Sequence, residues 1–253
     1  MSDLQKSAST NLFEGMTSIS AILNHTDINE RKIVKIMIDR TKQRTKAREI
    51  GFLKAKSIEL GFSLELVDPE LLDSVTTGKT HGGIVAECTE RTLPVLTAEQ
   101  IKPNGFYVYT EGIEDPYNFG YTVRSLYAAG VDGVILPPRN WMDSAGTVAR
   151  SSAGCSEAIP MYVSDSEQIA DLFHAAGYQI LCAGIRDSVS IFDERFKLPI
   201  LLVVGGEKRG ISRNLLDRAD KIVRIDYGRE FRGSLSAASA AAVLAFSILA
   251  QNR

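Results

Sequence analysis

The sequence predicts an α/β protein of two units, the second built on a parallel sheet covered on both faces. Three observations carry that expectation. Strand-like and helix-like segments alternate along the chain; several strand-like ones, PILLVVG above all, are continuously apolar; and a proline-containing stretch without period, RTLPVLTAEQIKPNG, separates two halves. A strand buried on both faces needs an apolar residue at every position, whereas a strand with one wet face alternates.

In chain order, residues 1–18 are polar and irregular and read as an arm. RKIVKIMID reads as a strand, KAREIGFLKAKSIELG as an amphipathic helix ended by Gly61, SLELVD as a strand, PELLDSV as a short helix and GGIVAEC as a strand. These make a compact α/β unit over residues 19–91, followed by a linker, 92–105. The second unit runs over 106–253. It begins with the strand FYVYT, a helix from Asn118 to Ala129, the strand GVIL, a helix from Met142 to Ser152 and the strand IPMYV. It continues with the helix DSEQIADLFHAAG, the strands QILCAGI and PILLVVG, a helix through SRNLLDRA, the strand KIVRID and a terminal helix from Ser234.

The chain has 253 residues, 44% of them apolar, enough for one large or two medium domains. It contains no apolar run long enough to span a bilayer, and its N-terminus lacks the charged-then-apolar order of a signal peptide, so a cytoplasmic protein without membrane contact is expected. The three cysteines, Cys88, Cys155 and Cys182, are widely spaced and read as buried small hydrophobes. The three histidines have no partner at metal spacing, so no metal site is expected and a conventional Ser-His-Asp hydrolase is disfavoured. Net charge is −2, but from Arg31 to Lys56 ten basic residues face only Asp39 and Glu49, a local balance of +8.

In parallel sheets, ligands bind where the carboxyl ends of strands lead into helices. Three such junctions carry unusual chemistry: EDPYNFGYTVR, VVGGEKRGIS and RIDYGREFRGSLSAAS. In the first, Asn118 reads as an N-cap, Gly120 as a close approach, and Arg124 follows near the start of an apolar helix. An arginine paired with a neighbouring carboxylate accounts for that pattern as well as a catalytic one does. In the second, Gly205, Gly206 and Gly210 permit a tight loop whose main chain can reach a ligand. Its spacing fits neither G-x-G-x-x-G nor G-x-x-x-x-G-K-[ST], which removes most support for a nicotinamide or nucleoside-triphosphate site. In the third, Ser234 or Ser236 caps a helix of small residues that lets another backbone come close.

Together and in this order, the junctions resemble the three motifs of the SpoU/TrmH family of the SPOUT superfamily, S-adenosylmethionine-dependent RNA 2′-O-ribose methyltransferases. N-x-G-x-x-x-R is matched by Asn118, Gly120 and Arg124; G-x-E-x-x-G by Gly205, Glu207 and Gly210; and S-L-N by Ser234 and Leu235, with Ser236 where the family has Asn. TVARSSAGCSEAIPMYV is similar to the family's S-x-G-A-x-E stretch. The first unit resembles the ribosomal-protein-like RNA-binding domain that many members carry, with THGGIVAE standing for its H-Q-G stretch and Gly82 replacing Gln.

The resemblance implies a C-terminal SPOUT domain with a trefoil knot and a homodimer formed through the knotted region. It further implies S-adenosyl-L-methionine held by main-chain contacts around Val204, Gly205, Gly206, Gly210, Ile225, Leu235 and Ser236, without a metal. Arg124, Asn118, Glu207 and Ser234 are the implied catalytic set, with Arg124 of one subunit beside the cofactor contacts of the other. The basic loop of Arg40, Lys42, Arg44, Lys46 and Arg48 then suits the phosphate backbone of ribosomal or transfer RNA. Two rival functions remain: a module that binds RNA or cofactor without efficient catalysis, given Ser236, and a nucleotide-dependent oxidoreductase, which lacks its glycine fingerprint.

Overall fold

The computed structural model describes residues 11–76, 81–138 and 144–253. It divides into two compact units, Met1–Arg91 with Asn140–Ala158, and Thr92–Arg139 with Ile159–Arg253.

The first unit has a four-stranded sheet in the order β1-β4-β2-β3, formed by β1 (Leu12–Glu14), β2 (Ile33–Asp39), β3 (Ser63–Val67) and β4 (Ile84–Cys88). β4 runs antiparallel to both β1 and β2, and β3 runs parallel to β2. The stretch expected as an irregular arm to residue 18 is, from Leu12 on, β1 and the helix α1 (Gly15–Asn24). Phe13, Ile19 and Ile22 explain why: they sit fully buried with Ile36, Ile38 and Leu53 in one apolar cluster, so burial overrides the polar local composition. Residues 1–10 lie outside the described ones. The short α2 (Thr26–Asn29) follows α1. α3 (Ala47–Leu60) ends at Gly61, whose φ of 79° lets its N–H reach the Ser57 carbonyl; α4 (Pro69–Val75) follows.

The first compact unit is not contiguous in sequence. α6 (Ala145–Ser151) and the 3-10 turn Cys155–Glu157 belong to the first unit, where Ala145 and Ala149 join the Phe13 cluster. Gly146 lies so close to the Leu12 carbonyl that any Cβ would overlap it. The expected start of this helix, Met142 and Asp143, lies outside the described residues. A buried network holds the segment: Glu157 Oε2 accepts from Arg31 Nε at 3.0 Å and faces Arg91 Nη1 at 3.7 Å, while Arg91 also donates to the Ser156 carbonyl.

The second unit has a seven-stranded sheet in the order β7-β6-β5-β10-β8-β11-β9, every pairing parallel. Its strands are β5 (Phe106–Glu111), β6 (Gly133–Leu136), β7 (Met161–Val163), β8 (Gln179–Ala183), β9 (Val189–Ser190), β10 (Ile200–Gly205) and β11 (Lys221–Arg224). The continuously apolar β10 is central, and Ile200 through Val203 are fully buried. α5 (Pro116–Ala128) and α9 (Ala237–Gln251) pack side by side, with α9 against β10. α7 (Gln168–Ala175) and α8 (Arg213–Asp217) supply Phe173 and Leu215 to a core with Tyr107, Tyr109 and Leu201. The expected linker is partly built into this unit. Val95 bridges Val163 in parallel, and Leu96 and Ile101 enter the core. No helix among the described residues is long and apolar enough to cross a membrane.

Candidate functional site

The carboxyl ends of β8, β10 and β11 open onto a cavity of about 550 Å³, within the range of small-molecule sites. Val204, Gly205, Gly206, Gly210, Ile225 and Leu235 line it, and so do Glu207 and Ser234. Ser236 does not. Its hydroxyl caps α9, accepting from the Ser239 N–H at 3.2 Å. Of the two serines expected as caps, Ser236 is the one used.

The wall is built from backbone pressed against backbone. A Cβ on Gly205 would stand 2.5 Å from the Gly210 carbonyl carbon, and one on Gly206 would overlap the Gly112 carbonyl. Gly206 N–H donates to the Glu111 carbonyl at 2.6 Å, Gly210 N–H to the Gly206 carbonyl at 2.9 Å, and Ser212 N–H to Glu111 Oε2 at 2.7 Å. Gly210 turns the loop at φ 65°. Glu111, at the carboxyl end of β5, thus anchors the loop at two points, and sequence spacing gave no hint of it.

A second, smaller cavity of about 100 Å³ is lined by Gly112, Asp115, Asn118, Glu207 and Lys208, among others. Glu207 is common to both walls. Asn118 is not the N-cap expected of it: Asp115 caps α5, its Oδ1 accepting the Asn118 N–H at 2.8 Å, with Pro116 in the first turn. That frees the Asn118 side chain for the cavity. Arg124 lies exposed on α5, in neither wall. Among the described residues no carboxylate pairs with it, so the structural ion pair is absent.

The larger cavity takes further residues: Gly184, Ile185 and Arg186 from the loop after β8, which carried no motif, and Tyr227 and Phe231 from the third junction, ahead of Ser234. The two rings meet edge to face at 5.4 Å, and the Tyr227 hydroxyl accepts from the Leu235 N–H at 3.3 Å. Cys182, under this region on β8, has its thiol pushed up to about 12 by burial and is no nucleophile. Among the described residues no group of three or more His, Cys, Asp or Glu side chains could hold a metal ion.

In the first unit, Asp39 Oδ1 accepts from the Thr41 N–H and hydroxyl and pins the turn Arg40–Lys42. Arg40 pairs with Asp68 and Lys46 with Glu49, both at 3.0 Å. Lys42, Arg44 and Arg48 are exposed and have no ion pair among the described residues. Arg31, counted in the basic stretch, is buried on Glu157 and adds nothing to the surface. His81 closes the neighbouring turn, accepting from the Gly83 N–H at 3.1 Å and facing Asp73 at 3.0 Å.

Two family models match the chain. The one described as the SpoU rRNA Methylase family covers residues 105–246, and the one described as RNA 2'-O ribose methyltransferase substrate binding covers residues 12–94. The chain is 25% identical to YacO of Bacillus subtilis, assigned to the TrmH family of tRNA/rRNA methyltransferases, over 87% of this chain and 89% of that one. It is 24% identical to the 23S rRNA (guanosine-2'-O-)-methyltransferase RlmB of Shewanella oneidensis, over 94% and 96%. Among solved structures it superposes on the SpoU methyltransferase AviRb of Streptomyces viridochromogenes, crystallised with AdoMet, with a TM-score of 0.76, 21% identity and 98% of both chains covered. A crystal structure of an RNA 2'-O ribose methyltransferase gives a TM-score of 0.78 at 20% identity, over 95% of this chain and 88% of that one.

Proposed function

The chain belongs to the SpoU rRNA methylase family, and from that premise we propose that it transfers a methyl group from S-adenosyl-L-methionine to a ribose 2′-hydroxyl of ribosomal or transfer RNA. The observation that carries this is the 550 Å³ cavity, whose wall is main chain at Gly205, Gly206 and Gly210. Its buried sides, Val204, Val223, Ala237 and Leu244, suit an adenosine, and its loops leave main-chain groups to hydrogen-bond one. When bound, the cofactor supplies the methyl group.

The chain's own residues do the rest. Glu207, common to both cavities, orders the loop between cofactor and acceptor. Asn118 and Ser234 orient the ribose. Arg124, exposed and without an ion pair among the described residues, clamps a backbone phosphate and polarises the ribose oxygen rather than acting as a base. Turnover therefore falls steeply in both Arg124→Ala and Arg124→Lys. The pH–rate profile of the residual Arg124→Ala activity keeps the wild-type shape; loss of the limb that rises with pH in that variant would instead make Arg124 the base.

Lys42, Arg44 and Arg48 bind RNA phosphates away from the site. The exposed aromatic residues Tyr121 (49%) and Phe246 (44%), on the paired helices α5 and α9, support a homodimer through these helices. The insertion of β10 between β5 and β8 supports the threaded, knotted C-terminus that the family resemblance implies. A cytoplasmic location follows from an RNA substrate of this kind.

Calorimetric titration with S-adenosyl-L-methionine, followed by methyl incorporation into total RNA from a strain lacking the protein, tests the proposal. Binding and incorporation are expected together. Tight binding with no incorporation into any RNA would make the protein a binding module, and no cofactor binding would sink the proposal altogether.

A further inference from the structure

We infer that Arg186 is a cofactor-binding residue that receives the carboxylate of the S-adenosyl-L-methionine amino-acid tail at the exposed end of the cavity. The inference rests on the cofactor assignment above and names a contact that none of the three motifs contains.

The cavity is graded from end to end. Val204, Val223, Ala237 and Leu244 are buried, whereas Ile185, Arg186 and Phe231 are exposed parts of the wall. An adenosine gains from the buried part; a zwitterionic tail left there without partners would carry a large desolvation cost. The tail is therefore directed to the exposed end, where its carboxylate needs a cation.

Among the described residues two arginines line the wall. Arg224 is already committed: its Nε donates to Asp226 Oδ1 at 2.7 Å and its Nη1 to the Ser188 carbonyl at 2.5 Å. Asp226 is equally engaged, its carboxyl held below the ordinary value by the Ser190 hydroxyl and by Arg224. Arg186 has no ion pair or hydrogen-bond partner among the described residues, and its guanidinium offers the planar fork that a carboxylate matches.

Its position is also fixed rather than incidental. The Ser188 hydroxyl donates to the Ile185 carbonyl at 2.7 Å and closes the turn, which Arg224 ties to β11 through the Ser188 carbonyl. Asp187 holds φ at 50°, a left-handed conformation that Asp tolerates better than most residues. Gly184 lies where a Cβ would come within 2.8 Å of Ile222 Cγ2. The turn after β8 is thereby held against β11 with Arg186 in the cavity wall.

The test compares two ligands that differ by the carboxylate alone, S-adenosyl-L-methionine and its decarboxylated form, by calorimetry on the full chain. Arg186→Ala is expected to weaken S-adenosyl-L-methionine binding roughly tenfold, about 1.4 kcal/mol, and to leave the decarboxylated ligand unchanged. Arg186→Lys restores part of the loss. An equal loss for both ligands would mean a deformed turn and overturn the inference. So would unchanged cofactor affinity with a raised KM for RNA, which would make Arg186 a phosphate contact. A wild-type protein that binds neither ligand would overturn the cofactor assignment itself, and the inference with it.

Discussion

Gly206 has no room for a side chain, because a Cβ there would overlap the Gly112 carbonyl, whereas the space around Gly210 is open and only its φ of 65° resists substitution. Two glycines four residues apart thus constrain the same loop for different reasons. Gly210→Ala is expected to cost about 1 to 2 kcal/mol of stability with cofactor binding kept. Gly206→Ala should displace the loop and lower cofactor affinity more than tenfold, as calorimetry would read. The buried thiols make a second prediction at this scale. Burial pushes both Cys88 and Cys182 up to about 12, while an unfolded thiol ionises near about 8.5. The unfolded state then holds fewer protons between those values, so the thiols' contribution to native stability is level below about pH 8.5 and falls as pH rises toward 12. Denaturant midpoints across that interval would show the slope, and Cys182→Ala would lessen it. At single residues the sequence was informative at several glycines and caps needed for local reasons. Gly61 ends α3 as its position predicts, and Ser236 caps α9. The cap of α5 was misjudged because Asp115 and Pro116 together already met the need assigned to Asn118.

The segment from α6 to Glu157 shows how an element can be legible in kind while its packing partners are not. Its helical period was visible, but its partners, Phe13, Arg31 and Arg91, are remote in sequence. Glu157, 2% exposed, is the carboxylate between two buried guanidiniums. Glu157→Gln keeps the size and removes the charge, and is expected to destabilise the protein by about 3 to 5 kcal/mol; chemical denaturation followed in the first unit would measure it. The same limit applies to the cavity. Gly205 and Leu235 stood in recognisable contexts, but Gly184 through Arg186 reach that wall only because the sheet sets β8 between β10 and β11. Strand order is a tertiary outcome, and no spacing along the chain encodes it.

For the whole molecule, charge placement matters more than its sum. Net charge is −2, yet Lys42 and Arg44, before α3, and Arg48, in its first turn, are exposed without carboxylate partners among the described residues. Replacing all three by alanine is expected to make the slope of log K against log salt for RNA binding shallower by about 2 to 3, and salt titrations of binding would show it. Turnover on saturating RNA should change far less. The two-unit, α/β character of the chain was legible because alternation and continuous apolar runs are local signals. The ownership of residues 140–158 was not, because it depends on which core they complete.

That ownership also sets the order in which the protein can be made. During synthesis, Phe13, Ile36 and Leu53 leave the ribosome early, but Ala145, Ala149 and Glu157 follow more than fifty residues after Arg91. The core of the N-terminal unit is therefore complete in sequence only after β5, α5 and β6 have emerged. A ribosome paused before Ala158 holds a nascent chain in which neither unit can be finished.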